Sequence, residues 1–117
     1  MNAHPPGEFS LTVTREASAL TVRLAGELDY DTGDELVATV VAHLGGRPHP
    51  REVRLDFGGL TWIDSSGLAA LLMAHRHISA AGADLHLDHR PDFLDRRLRR
   101  TDILGHLTEP AARPWQN

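Results

Sequence analysis

The chain has 117 residues, no cysteine and a formal net charge of −4. That length supports one hydrophobic core without staples, and the missing cysteines exclude disulfides, thiolate metal sites and cysteine nucleophiles. Mild acidity argues against direct nucleic-acid binding, and no apolar run approaches the roughly 20 residues of a membrane span.

Residues 1–8, with two prolines and a glycine, and residues 108–117, with two more prolines, are expected to be poorly ordered tails. Trp115 could anchor the second. The folded part is expected to span residues 9–107, and "MNAHPPGEF" does not read as a secretory leader, so a cytoplasmic protein is expected. "SLTVT" and "ALTVRLA" alternate apolar and polar residues, the period of strands with one buried face. A short turn around Ala17–Ala19 would make them an antiparallel pair. "DTGDELVATVVAHLGG" then reads as a helix. Thr32 and Glu35 fit a capping box, Leu36, Val37, Val40, Val41 and Leu44 form its apolar stripe, and Gly45 stops it.

"REVRLDF" alternates again through Val53, Leu55 and Phe57, and Gly58–Gly59 is expected to be a turn. After "LTWIDSSG" a helix carries Leu68, Leu71, Leu72, His75 and Ile78 on one face and ends at Gly82. "ADLHLD" is a further strand. "RPDFLDRRLRRTDILGHL" reads as one helix with Pro91 in its first turn and a basic, solvated face. The order β-β-α-β-α-β-α predicts an α/β fold: a mixed four- to five-stranded sheet with helices mainly on one face. Crossovers between parallel strands should be right-handed, with the first strand antiparallel at one side.

The chemistry concentrates in Asp64-Ser65-Ser66-Gly67, where a strand gives way to a helix. A nucleophile elbow needs Gly-x-Ser-x-Gly; here the first glycine is missing, and no histidine is marked as a base. His75 and His77 point to different faces of a helix, as do His86 and His89 near a strand end, so no metal site is expected. The paired glycines lack the spacing and the lysine of a phosphate loop, and no cofactor site is expected. The plain reading is that Asp64 or Ser65 caps the helix. A cap explains one residue, but not two successive serines followed by a glycine that keeps bulk away from them. A helix start also favours added negative charge, so a phosphoserine would be tolerated there.

"GELDYDTGDEL" at 26–36, "VRLDFGGLTWIDSSGLAALLMAHR" at 53–76 and "AAGADLHL" at 80–87 resemble the STAS domain of bacterial anti-anti-sigma factors. The similarity covers roughly residues 9–107. The resemblance implies a single STAS-like domain that is not an enzyme. Its unphosphorylated form would bind an ATP-binding, histidine-kinase-like anti-sigma factor kinase and release a sigma factor. It also implies phosphorylation at the serine directly after the aspartate, Ser65, with a serine phosphatase to reverse it. Spacing alone leaves Ser66 as the alternative. Asp29, Asp64, Ser65, Ser66 and Gly67 would form the partner-binding site. The basic "FLDRRLRR" departs from the more apolar segment usual in the family. The alternative role is that of a structural STAS subunit in a lipid-transport or stress-signalling complex.

Overall fold

A computed structural model describes residues 8–109, so nearly all of both expected tails, and Trp115, lie outside the described residues. The first two alternating runs become β1 (Ser10–Glu16) and β2 (Ala19–Leu28), paired antiparallel. Glu16 faces Ala19 across a two-residue turn, and Ala17 takes the left-handed conformation (φ 51°) that such hairpins require. Helix α1 (Tyr30–Leu44) follows, then β3 (Glu52–Ile63), α2 (Ser65–Ala80), β4 (Asp84–Asp88), α3 (Asp92–Arg100) and α4 (Leu104–Leu107). The four strands lie in chain order, and both β2–β3 and β3–β4 are parallel.

One face of the sheet is apolar and the other polar, as the alternation predicts. Leu20, Val22, Leu24, Val53, Leu55, Phe57, Leu85 and Leu87 are buried. They meet Leu36 and Val40 of α1, Leu71 and Ile78 of α2, and Leu94 and Leu98 of α3 in one core. The opposite face carries Arg23 against Asp56 (3.4 Å) and Arg54 against Asp88 (3.1 Å). Such half-exposed pairs contribute little stability, on the order of 0–1 kcal/mol each.

Four expectations need correction. Gly58–Gly59 is not a turn; β3 runs straight through it. Between the pairs Arg23–Asp56 and Leu28–Ile63 the strand β3 uses two more residues than β2, and these register shifts move its buried positions from Phe57 to Leu60 and Ile63. Helix α1 starts before Thr32, as described below. The last helix is two. Asp102 adopts a left-handed conformation (φ 60°), and Ile103 N–H donates to Leu98 O while Asp102 N–H donates to Arg99 O. That pair of bonds is a Schellman stop, usually made by glycine, and here an aspartate hides it. Pro91 sits at the N-cap, one position before the first turn.

His75 is buried on α2. Its Nε2 meets Ser79 Oγ at 3.2 Å, its Nδ1 has no hydrogen-bond partner among the described residues, and its ring packs edge-on to His106 of α4 at 4.7 Å. Burial lowers its proton affinity and His106 adds to the effect, while Glu109 opposes it. The unfolded chain therefore takes up a proton near the ordinary value of 6.5 before the folded chain does. Stability should be complete above that pH and fall as the pH drops through it. Urea midpoints between pH 7.5 and 5.5 check this, and His75→Leu should flatten the fall. An equal fall in the variant would place the titrating group elsewhere.

Candidate functional site

Parallel pairing sets Leu28 opposite Ile63, so β2 and β3 end side by side. Each strand is followed at once by an aspartate and a helix, and this places two helix starts on the sheet's carboxyl rim, where open α/β sheets commonly bind ligands. The Asp29 carboxylate accepts the Thr32 N–H at 3.1 Å, and Thr32 Oγ1 accepts the Asp29 N–H at 2.8 Å. This reciprocal box, and not Thr32 with Glu35, caps α1. The Thr32 N–H and then its hydroxyl hold the Asp29 carboxyl below its ordinary range, so it stays charged. Asp64 caps α2 from one side only, accepting the Gly67 N–H at 2.9 Å. Its own N–H donates to Leu28 O at 3.3 Å and ties the two starts together.

The cap therefore belongs to Asp64, and the serines are not needed for it. Ser65 and Ser66 are both exposed, and neither hydroxyl makes a hydrogen bond among the described residues. Asp64→Ala should cost about 1 kcal/mol, as loss of a helix cap does. Ser65→Ala should stay within about 0.5 kcal/mol, as surface changes do. Chemical denaturation of the two variants checks the contrast; equal losses would mean that Ser65 shares the cap.

Gly67 has a different reason from the one its neighbours suggest. It is buried, and a Cβ there would lie 2.3 Å from Leu28 O and 2.7 Å from Ile63 Cγ1. The start of α2 is pressed onto the strand ends, and only glycine fits. Gly33 plays the same part between the helices, since its Cβ would come within 2.8 Å of Ala70 Cβ. Close approach of α1 and α2 leaves an open groove of about 450 Å³ beside Ser66. Tyr30 (68% exposed) and Met73 (42% exposed) stand on its two sides, Val37 lines it, and Asp34 supplies its charge. Sequence reasoning missed Tyr30 and Met73. Both lie off the buried stripes of their helices, which is the signal that marks them.

The structure thus brings Asp29, Asp64, Ser65, Ser66 and Gly67 to one rim. Serines at an acid-capped helix start, on a mixed sheet with its strands in chain order, define a small α/β domain. The family model described as "Mlab, STAS domain" matches residues 11–109, and the chain belongs to the STAS domain family. Solved structures agree in fold. An anti-sigma factor antagonist from Mycobacterium paratuberculosis superposes with a TM-score of 0.73 at 17% identity, covering 96% of this chain and 92% of that one. A sulfate transporter family protein from Wolinella succinogenes gives 0.69 at 19%, covering 80% and 75%. The anti-sigma factor antagonist SpoIIAA in its unphosphorylated form gives 0.63 at 21%, covering 79% and 82%. At these identities the likeness is one of fold.

Proposed function

We propose that this protein is an anti-sigma factor antagonist whose partner, an anti-sigma factor serine kinase, docks on the rim around Asp29, Asp64, Ser65, Ser66 and Gly67. The observation that carries the reading is the division of labour at α2: Asp64 does the capping, and both serine hydroxyls are left free and exposed. Ser66 forms part of the groove wall, whereas Ser65 lies outside that lining. Ser65, directly after the aspartate, is the phosphoacceptor in this reading. The exposed apolar groove beside it supplies contact area for the partner. Phosphate at the helix start adds about −1.5 to −2 of charge without disturbing the cap, releases the partner, and awaits a serine phosphatase.

Reconstitution tests the proposal. The protein is added to a purified kinase–sigma complex and the mixture resolved by gel filtration. It should displace the sigma factor, and prior incubation with the kinase and ATP should abolish displacement. Failure to displace at any ratio would favour the second reading, a structural subunit of a lipid-transport or stress-signalling complex. The match to a model described as "Mlab, STAS domain" and the fold shared with a sulfate transporter family protein support that alternative.

A further inference from the structure

β4 pairs with only Glu52–Asp56, so the later half of β3 extends beyond it. Helix α3 lies against the end of that extension, with Arg97 Nη1 donating to Ile63 O at 3.0 Å. Trp62, Ile63, Phe93, Arg96, Arg97 and Arg100 line a pocket of about 310 Å³ there. Helical spacing gathers positions 93, 96, 97 and 100 on one side of α3, while Leu94 and Leu98 are buried in the core on the other. The acids nearby are otherwise engaged or unpaired with this wall. Asp95 is held by Arg90 at 2.9 Å and Arg99 at 2.8 Å, and Asp92 makes no ion pair among the described residues. Arg96 and Arg100 have no ion-pair partner among the described residues, and the Arg97 guanidinium, also without one there, donates to the Ile63 carbonyl.

Three arginines lining one small volume repel each other unless an anion joins them. Their planar forks match a phosphate, whose oxygens accept paired N–H bonds. Trp62, 47% exposed, and Phe93 line the same pocket and offer aromatic surface to whatever the phosphate is attached to. We propose that this pocket is a binding site for a phosphate monoester, held by Arg96, Arg97 and Arg100 with its organic part against Trp62. Two sources carry that chemistry. One is a free phosphate ester. The other is Ser65 itself, whose Cα lies at most about 7.6 Å from that of Ile63, the residue Arg97 grips. Only this second source rests on the switch proposed above.

Trp115→Phe leaves Trp62 as the single indole, and its fluorescence then reads the pocket. Titration with phenyl phosphate at low salt should give saturable quenching. Arg96→Gln combined with Arg100→Gln should weaken it by about tenfold or more, while Arg76→Gln, which removes one charge on α2 outside the pocket lining, should not. Thermal melts confirm that the variants fold. In a second arm, phosphoserine is installed at position 65 during translation, which bypasses the kinase, and its ³¹P resonance is titrated. If that phosphate occupies the pocket, Arg97→Gln raises its second pKa toward the ordinary value of about 6, and phenyl phosphate no longer quenches. If phenyl phosphate still binds and the resonance ignores Arg97→Gln, the ligand is a free ester. The proposal is overturned if phenyl phosphate shows no saturable, arginine-dependent response and the phosphoserine is insensitive to Arg97→Gln.

Discussion

Ser65→Asp should keep the protein folded and weaken partner binding by roughly 30-fold to several thousandfold, about 2–5 kcal/mol. Folding is spared for two reasons. The Ser65 hydroxyl has no hydrogen bond among the described residues to lose, and a carboxylate in the first turn suits the helix dipole. Binding is not spared, because a partner that delivers phosphate to Ser65 must approach its oxygen closely. The new charge would enter that contact beside Asp64, the charged Asp29 and the groove's Asp34, with no basic residue lining the groove. An aspartate is also shorter than a phosphoserine, so its charge stays near the helix backbone. Calorimetric titration against the kinase with ADP bound measures the effect. Equal affinities for wild type and variant would put the contact surface elsewhere and favour the structural-subunit reading.

Gly67→Ala should destabilise the fold far more than its size suggests. The added methyl would sit 2.3 Å from Leu28 O and 3.0 Å from Leu28 C, which are backbone atoms of a central strand. No rotamer change relieves that contact, because Leu28 is fixed by pairing with Ile63 and by the Asp64 N–H. Helix α2 would have to lift, loosening the Asp64 cap and moving both serines. Overpacking costs about 1–3 kcal/mol and more against backbone, and helix propensity returns about 1 kcal/mol. A net loss of about 2 kcal/mol corresponds to a melting temperature lower by roughly 10 °C. An alanine variant that melts at or above wild type would show that the strand ends give way easily, contrary to this packing.

Much of the fold was legible because β2, β4 and the first half of β3 bury one face each, and strict alternation reports that directly. The signal failed where the backbone changes phase. The register shifts in β3 break the alternation after Phe57, so a continuous strand looked like a strand, a turn and a second extended piece. In "DYDTGDE" acids crowd the helix start, and the pattern Thr32–Glu35 competes with the pair that forms, Asp29–Thr32. A left-handed aspartate at 102 gave no warning of a helix end. The serine motif could be located from sequence, but which residue caps it could not. That choice depends on Asp64 Oδ1 reaching the Gly67 N–H, a matter of geometry. The groove and the arginine pocket depend on how α1 meets α2 and how α3 meets β3, which local periodicity does not encode.

The most direct test of the central claim is phosphate mapping. The protein is incubated with the partner kinase and ATP, then cut with trypsin; cleavage after Arg54 and Arg76 yields one peptide, residues 55–76, that holds both serines. Fragmentation mass spectrometry should place a single phosphate on Ser65, and Ser65→Ala should abolish incorporation. Phosphate on Ser66, or full incorporation in the Ser65→Ala variant, would contradict the assignment, and no incorporation at all would contradict the switch.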